Sequence, residues 1–201
     1  PLKRMRETFA LPALTGAIFG FIFVFGSIFG NVASYLGIYL KFDEVVLSGL
    51  SLLFFAACLF MLAVLEEFIL RDCIEKYVAH TFNLKIALVC SSVLFILFKH
   101  LQFEITAIEV INLLVLNYIL SKTARASTHL ASASLLASFW ITMHILFGLP
   151  FFGQEMPGVF LLRANSEEGV LSLLSGGSRG PQSSIVLTSL LLIYALNLLK
   201  T

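Results

Sequence analysis

The chain has 201 residues, 59% of them hydrophobic and 12% charged, with a mean hydropathy of +0.97. Soluble globular domains carry roughly 25% charged residues, so the composition excludes an ordinary soluble fold and predicts an all-α, polytopic transmembrane bundle. The formal net charge of +1 gives no electrostatic footing for nucleic acid, which leaves the lipid bilayer as the expected surroundings.

A basic leader of Lys3, Arg4 and Arg6 precedes an apolar stretch from about Phe9 to Tyr39, which contains Gly16, Gly20, Gly26, Gly30 and Gly37. That stretch exceeds the ~20 residues a span needs, so it tilts, breaks near Asn31 or ends in an interfacial piece. Gly16-x-x-x-Gly20 and Gly26-x-x-x-Gly30 allow close helix approach, read here as internal packing in preference to a dimer face. A second segment begins near Val45, passes through Leu65 into the sequence L-E-E-F-I-L-R, and continues as the mixed stretch Asp72 to Phe82. No Pro or Gly interrupts it after Gly49, so one long helix is expected to cross and emerge as an amphipathic extension. Asn83 is the expected turn.

A third span runs from Leu84 to Phe103 and a fourth from Thr106 to Leu120, followed by the polar connector Lys122 to Thr128. The fifth span, Ala131 to Phe147, is rich in Ala and Ser, as tightly packed transmembrane helices are. Pro150 ends it. The segment Phe151 to Ser184, with Pro157, Pro181, Gly176-Gly177 and Glu167-Glu168, is expected to be irregular or re-entrant, tolerated where protein or water covers its backbone. Ile185 to Leu199 is the sixth span. A single integral-membrane domain over 1–201 is expected, with residues 1–44 as the N-terminal span and 45–199 as the core. With the N-terminus cytoplasmic, Lys3, Arg4, Arg6, Lys76, Lys85, Lys122, Arg125 and Lys200 lie inside, and Lys41, Arg163 and Arg179 outside.

Two carboxylates and an arginine inside an apolar run need partners or a task, because a charge at the centre of the hydrocarbon layer costs at least ~2.5 to 3.5 kcal/mol. Glu67 and Arg71 are i,i+4 and are expected to pair, which lowers the burial cost of both. Glu66 is rotated by about 100° from Glu67 and is left available. With the turn at Asn83, Glu66 stands about 17 residues before it and His100 about 17 after it, so an antiparallel hairpin sets both at one depth. His144, near the end of the fifth span, falls on the same side of the membrane as His100. The bland reading of the remaining groups is structural. His80 and His129 sit near headgroups or a polar connector, Glu104 and Glu109 at the membrane surface, and Glu167 and Glu168 in a solvated loop.

The order Glu66-Glu67-x-x-x-Arg71, then His100 ending F-I-L-F-K-H, then His144 resembles the three-motif pattern of the CPBP family, the CAAX prenyl endopeptidases and their prokaryotic Abi relatives. The tail F-F-G-Q-E-M-P-G-V-F and the later G-G-S-R-G-P are similar to a bacterial branch, and the likeness covers roughly Val45 to Leu199. It implies an intramembrane endopeptidase of a prokaryotic inner membrane, hydrolysing a peptide bond in a membrane-anchored or lipidated protein through glutamate-activated water. By the same resemblance Glu66 is general base, His100 its partner, His144 the oxyanion stabiliser, and Glu67 and Arg71 supports.

Two departures stand out. Ile96 occupies the position four before His100 where the family has Phe, with Phe95 and Phe98 beside it. Gly148 stands four after His144, where the family has Asn or Asp. Loss of one oxyanion donor costs ~10²- to 10³-fold in rate, so either another donor serves, Gln154 being the first candidate, or the chain is a degenerate relative acting as a membrane immunity or partner-binding factor. No cofactor is expected. Zinc is the lesser alternative, since two His and one Glu match its ligand types but no HExxH is present.

Overall fold

The computed structural model describes residues 9–29, 33–38, 45–154, 159–164 and 170–199. The basic leader, Gly30, Asn31, Lys41, Pro157, Glu167, Glu168 and Lys200 lie outside the described residues. The chain folds as a polytopic all-α bundle. Four helical segments are long and apolar enough to cross a membrane, Gly49–Thr81, Leu84–Gln102, Ala107–Ala126 and His129–Leu146, and two shorter apolar helices join them, Leu11–Gly26 and Ile185–Leu199.

Helix α1 (Leu11–Phe29) ends just short of the break expected near Asn31. Beyond that break the chain departs from the expected apolar continuation: β1 (Ala33–Ile38) pairs antiparallel with β2 (Phe160–Ala164), from Ala33 opposite Ala164 to Ile38 opposite Phe160, with an irregularity between Tyr35 and Gly37. Such short apolar runs are indistinguishable by periodicity from the end of a span. The ribbon ties the connection after α1 to the excursion after the fifth span.

Helix α2 (Val45–Glu67) continues through a π-helical stretch (Phe68–Glu75) into α3 (Lys76–Thr81). The 33 residues from Gly49 to Thr81 span ~50 Å at 1.5 Å per residue, more than the ~30 Å of hydrocarbon, so the charged end emerges as expected. Asn83 caps α4 (Leu84–Gln102), its side chain accepting from the Ile86 N–H at 2.9 Å. A capping box of Thr106 and Glu109 starts α5 (Ala107–Ala126). This helix outruns its expected end at Leu120 because no breaker intervenes, and Lys122 and Arg125 in its final turns suit the negative end of the helix dipole. The connector shrinks to Ser127 and Thr128.

Thr128 caps α6 (His129–Trp140), which runs into a second π-helical stretch (Ile141–Leu146). α6 is the centre of the bundle, packed by α1, α2 and α5, and residues Ala131 through Ala137 are buried on every face. Its small side chains permit that enclosure. A Cβ on Gly16 would strike Leu135 O and Ser138 Oγ, and one on Gly20 would sit 2.8 Å from Thr142 Cγ2, so this pair serves internal packing. Gly26 faces open space. By contrast α2 turns Leu53, Phe54, Met61, Leu62 and Leu65 outward, as a lipid-facing helix does.

The excursion is irregular, as expected. It contains a bridge between Phe151 and Gln154, the short helix α7 (Val170–Ser175) and 3-10 turns Gly177–Arg179 and Pro181–Ser183 before α8 (Ile185–Leu199). Gly180 holds φ at +94°, and a Cβ there would run into Pro150 O, which docks the G-G-S-R-G-P segment against the end of the fifth span.

Candidate active site

The motif on α2 separates into two sets of contacts. Glu67 and Arg71 are almost fully buried, and the guanidinium meets Glu67 through Nε at 3.1 Å and Glu75 through Nη1 at 3.0 Å. Glu67, Arg71 and Glu75 thus form one i, i+4, i+8 ladder along a single helix. Arg71 also donates to Asn117 Oδ1 at 2.7 Å and Ser91 Oγ at 3.4 Å, and Ser121 donates to Glu75. Every charged group on the ladder has a hydrogen-bonded partner, which lowers the cost of burying it. Glu75 and the partners that α4 and α5 supply to the ladder were missed from the sequence, although Glu75 continues the same four-residue spacing.

Glu66 lies one residue away and faces elsewhere. It lines a cavity of about 220 Å³ with Leu62, Leu65, Phe98, Gln102, Trp140 and Phe151 among its walls. Leu62, Leu65 and Phe98 are also exposed on the outer surface of the helices, so the mouth opens sideways toward lipid. The partner of Glu66 is Lys99: its Nζ lies 2.8 Å from Glu66 Oε2 and 5.5 Å from the Phe95 ring centroid. The depth set by the spacing from Asn83 is therefore right to within one residue, and the azimuth is not. His100, expected at this place, is exposed and makes no contact with Glu66. The signal that could have found Lys99 is the spacing itself, because Phe95 stands four residues before Lys99 as the resemblance asks of Phe and its histidine.

His144 is fully buried on the second π-helical stretch, and its ring is boxed by Trp140 and Phe151 at centroid distances of 5.4 and 4.8 Å. Those two rings also line the Glu66 cavity, whereas His144 does not. Leu149 O, which only accepts, lies 2.7 Å from Nδ1. Nδ1 therefore carries the proton, and Nε2 accepts from the Gln182 side-chain amide at 2.9 Å, which assigns the tautomer through its surroundings. Gln182, absent from the sequence reading, comes directly after Gly180-Pro181 and is 1% exposed. Gln154, the sequence candidate for this task, is exposed and bridges back to Phe151. Gly148 holds φ at +61°, a left-handed turn that glycine adopts without strain and Asn tolerates.

Glu109 departs from its expected surface place. It is buried, held by Arg179 at 3.0 Å and by Ser183 at 2.6 Å, and so pins the excursion to the start of α5. Among the described residues no group of three or more His, Cys, Asp or Glu side chains is placed to hold a metal. Glu66 is tied to Lys99, His144 uses both ring nitrogens within the fold, and His100 points outward, so these three do not compose a zinc donor set.

Comparison with family models, curated proteins and solved structures gives no match. What the site can do rests on its own geometry, an ion pair at the wall of a laterally open apolar cavity with a neutral, internally satisfied histidine behind its aromatic lining.

Proposed function

We propose that the chain is a membrane partner-binding protein on a CPBP-like scaffold, whose Glu66 cavity receives a segment of a membrane-anchored or lipidated protein and holds it without cutting it. The observation that carries this reading is the Glu66–Lys99 pair at 2.8 Å. Lys99 presents three donors and no acceptor and occupies Oε2 of Glu66, which leaves one carboxylate oxygen for a water and sets an ammonium beside it. A general base needs hydrogen-bond reach to the proton it takes, and the motif-three side chain that would answer it is Gly148. The lateral mouth favours an apolar occupant that arrives through the bilayer. The Lys and Arg count supports cytoplasmic termini and a cavity nearer the outer leaflet, and the resemblance supports a prokaryotic inner membrane.

The intact Glu67–Arg71 support keeps the endopeptidase as a second reading, since a turn of about 100° around α4 would exchange Lys99 for His100. One experiment separates the two. The purified chain is reconstituted in liposomes with a panel of membrane-anchored peptides, and cleavage and photo-crosslinking from Leu62 are measured together. The binding reading expects discrete adducts, lost when Ala63→Trp fills the cavity, and no cleavage. Cleavage by the unaltered chain that disappears in Glu66→Gln would overturn it in favour of the protease.

A further inference from the structure

We propose a second ligand site, a phosphate site for a phospholipid headgroup, in the cavity beside the C-terminal part of the long α2–α3 rod. This cavity measures about 520 Å³ and lies between the π-helical stretch, α3 and the junction of α5 with α6, sharing no lining residue with the Glu66 cavity. Its walls carry five charged side chains, and four are matched within the fold. Asp72 is paired with both Lys76 and His129, and Glu75 with Arg71 and Ser121.

Arg125 is matched only in part, by an ion pair with Glu75 at its Nε. Its Nε donates to Ser121 O at 3.2 Å and stands 3.7 Å from Glu75 Oε1, while its two terminal amino groups have no partner among the described residues. Those amino groups are a planar fork of four N–H donors, the geometry that takes phosphate oxygens bidentately. The backbone N–H groups of His129 and Leu130, in the first turn of the 12-residue α6, also lack hydrogen bonds among the described residues and border the cavity. They add the positive end of a helix dipole, on which anions sit favourably. Beside Ser127 and Thr128, the side chains of Ala79, Leu84 and Ala124 give the wall an apolar part, which suits the glycerol end of a lipid better than a free ion. α3 emerges from the bilayer here, and Lys85 and Lys122 lie nearby in the chain, so the cavity sits where headgroup phosphates are.

The test uses the detergent-solubilised chain in phosphate-free buffer, with thermal midpoint as the readout. Dioctanoyl phosphatidylglycerol should raise the midpoint, whereas dioctanoylglycerol, which has the same tails and no phosphate, should not. Arg125→Gln should raise the half-saturating concentration about ten-fold or more, as loss of a charge-assisted contact does. Arg125→Lys should recover part of the response, which a folding defect alone would not explain. Lys122→Gln, on the same helix and outside the cavity, should stay within about two-fold, as a solvated charge does. An equal rise with inorganic phosphate keeps the phosphate site and assigns it to the free anion. No rise with the phospholipid, an equal rise with dioctanoylglycerol, an unaffected Arg125→Gln or an equal loss in Lys122→Gln overturns the proposal.

Discussion

Lys99 and His100 are neighbours in the chain and lie about 100° apart around α4, and that angle separates an ion pair at a cavity wall from a side chain in the open. Spacing from Asn83 sets depth along the hairpin but not rotation, which depends on how α4 packs against the π-helical stretch, α3 and α5. The Glu67–Arg71 pair was legible because both partners sit on one helix, while Asn117 and Gln182 come from distant segments whose approach no local pattern encodes. Arg71→Ala should destabilise the chain by about 3 to 5 kcal/mol, because it strands two buried carboxylates; thermal unfolding in detergent measures this. Gly148→Asn should fold normally and Gly148→Val should lose about 1 to 3 kcal/mol, as a β-branched residue in a left-handed turn does. Equal midpoints for the two variants would contradict the turn at φ +61°.

Among the elements, α6 was the easiest to foresee and the most consequential. Its run of Ala and Ser announced close packing, and α1 meets it through Gly16 and Gly20 with no room for a side chain. Gly16→Val should therefore force the two helices apart at a cost of about 1 to 3 kcal/mol, while Gly26→Val, facing open space, should leave the midpoint unchanged. The β1–β2 ribbon was illegible because neither strand alternates polar and apolar residues clearly. The two π-helical stretches were equally hidden, yet one carries Arg71 and the other His144. Wide turns of this kind re-aim side chains within a helix and recur at functional sites.

For the molecule as a whole, the number of apolar segments was readable because a bilayer demands long hydrophobic runs, and an even number of spans puts both ends on one side. Cysteine placement tests that orientation. In a chain with Cys58, Cys73 and Cys90 replaced, Ser178→Cys should react with a membrane-impermeant maleimide added outside, and Lys122→Cys only after the cell is opened. The reverse pattern would invert the topology. The buried ladder also bears on the order in which the chain is made. Arg71 waits for Asn117, 46 residues later in synthesis, before its guanidinium is satisfied. Until α5 leaves the ribosome, Arg71 has only Glu67 and Glu75 of its own helix, and the ladder carries two carboxylates against one guanidinium. A nascent chain truncated before Ala107 should remain extractable by alkali, whereas one extended past Ala126 should resist, so that translation itself determines when this helix commits to the membrane.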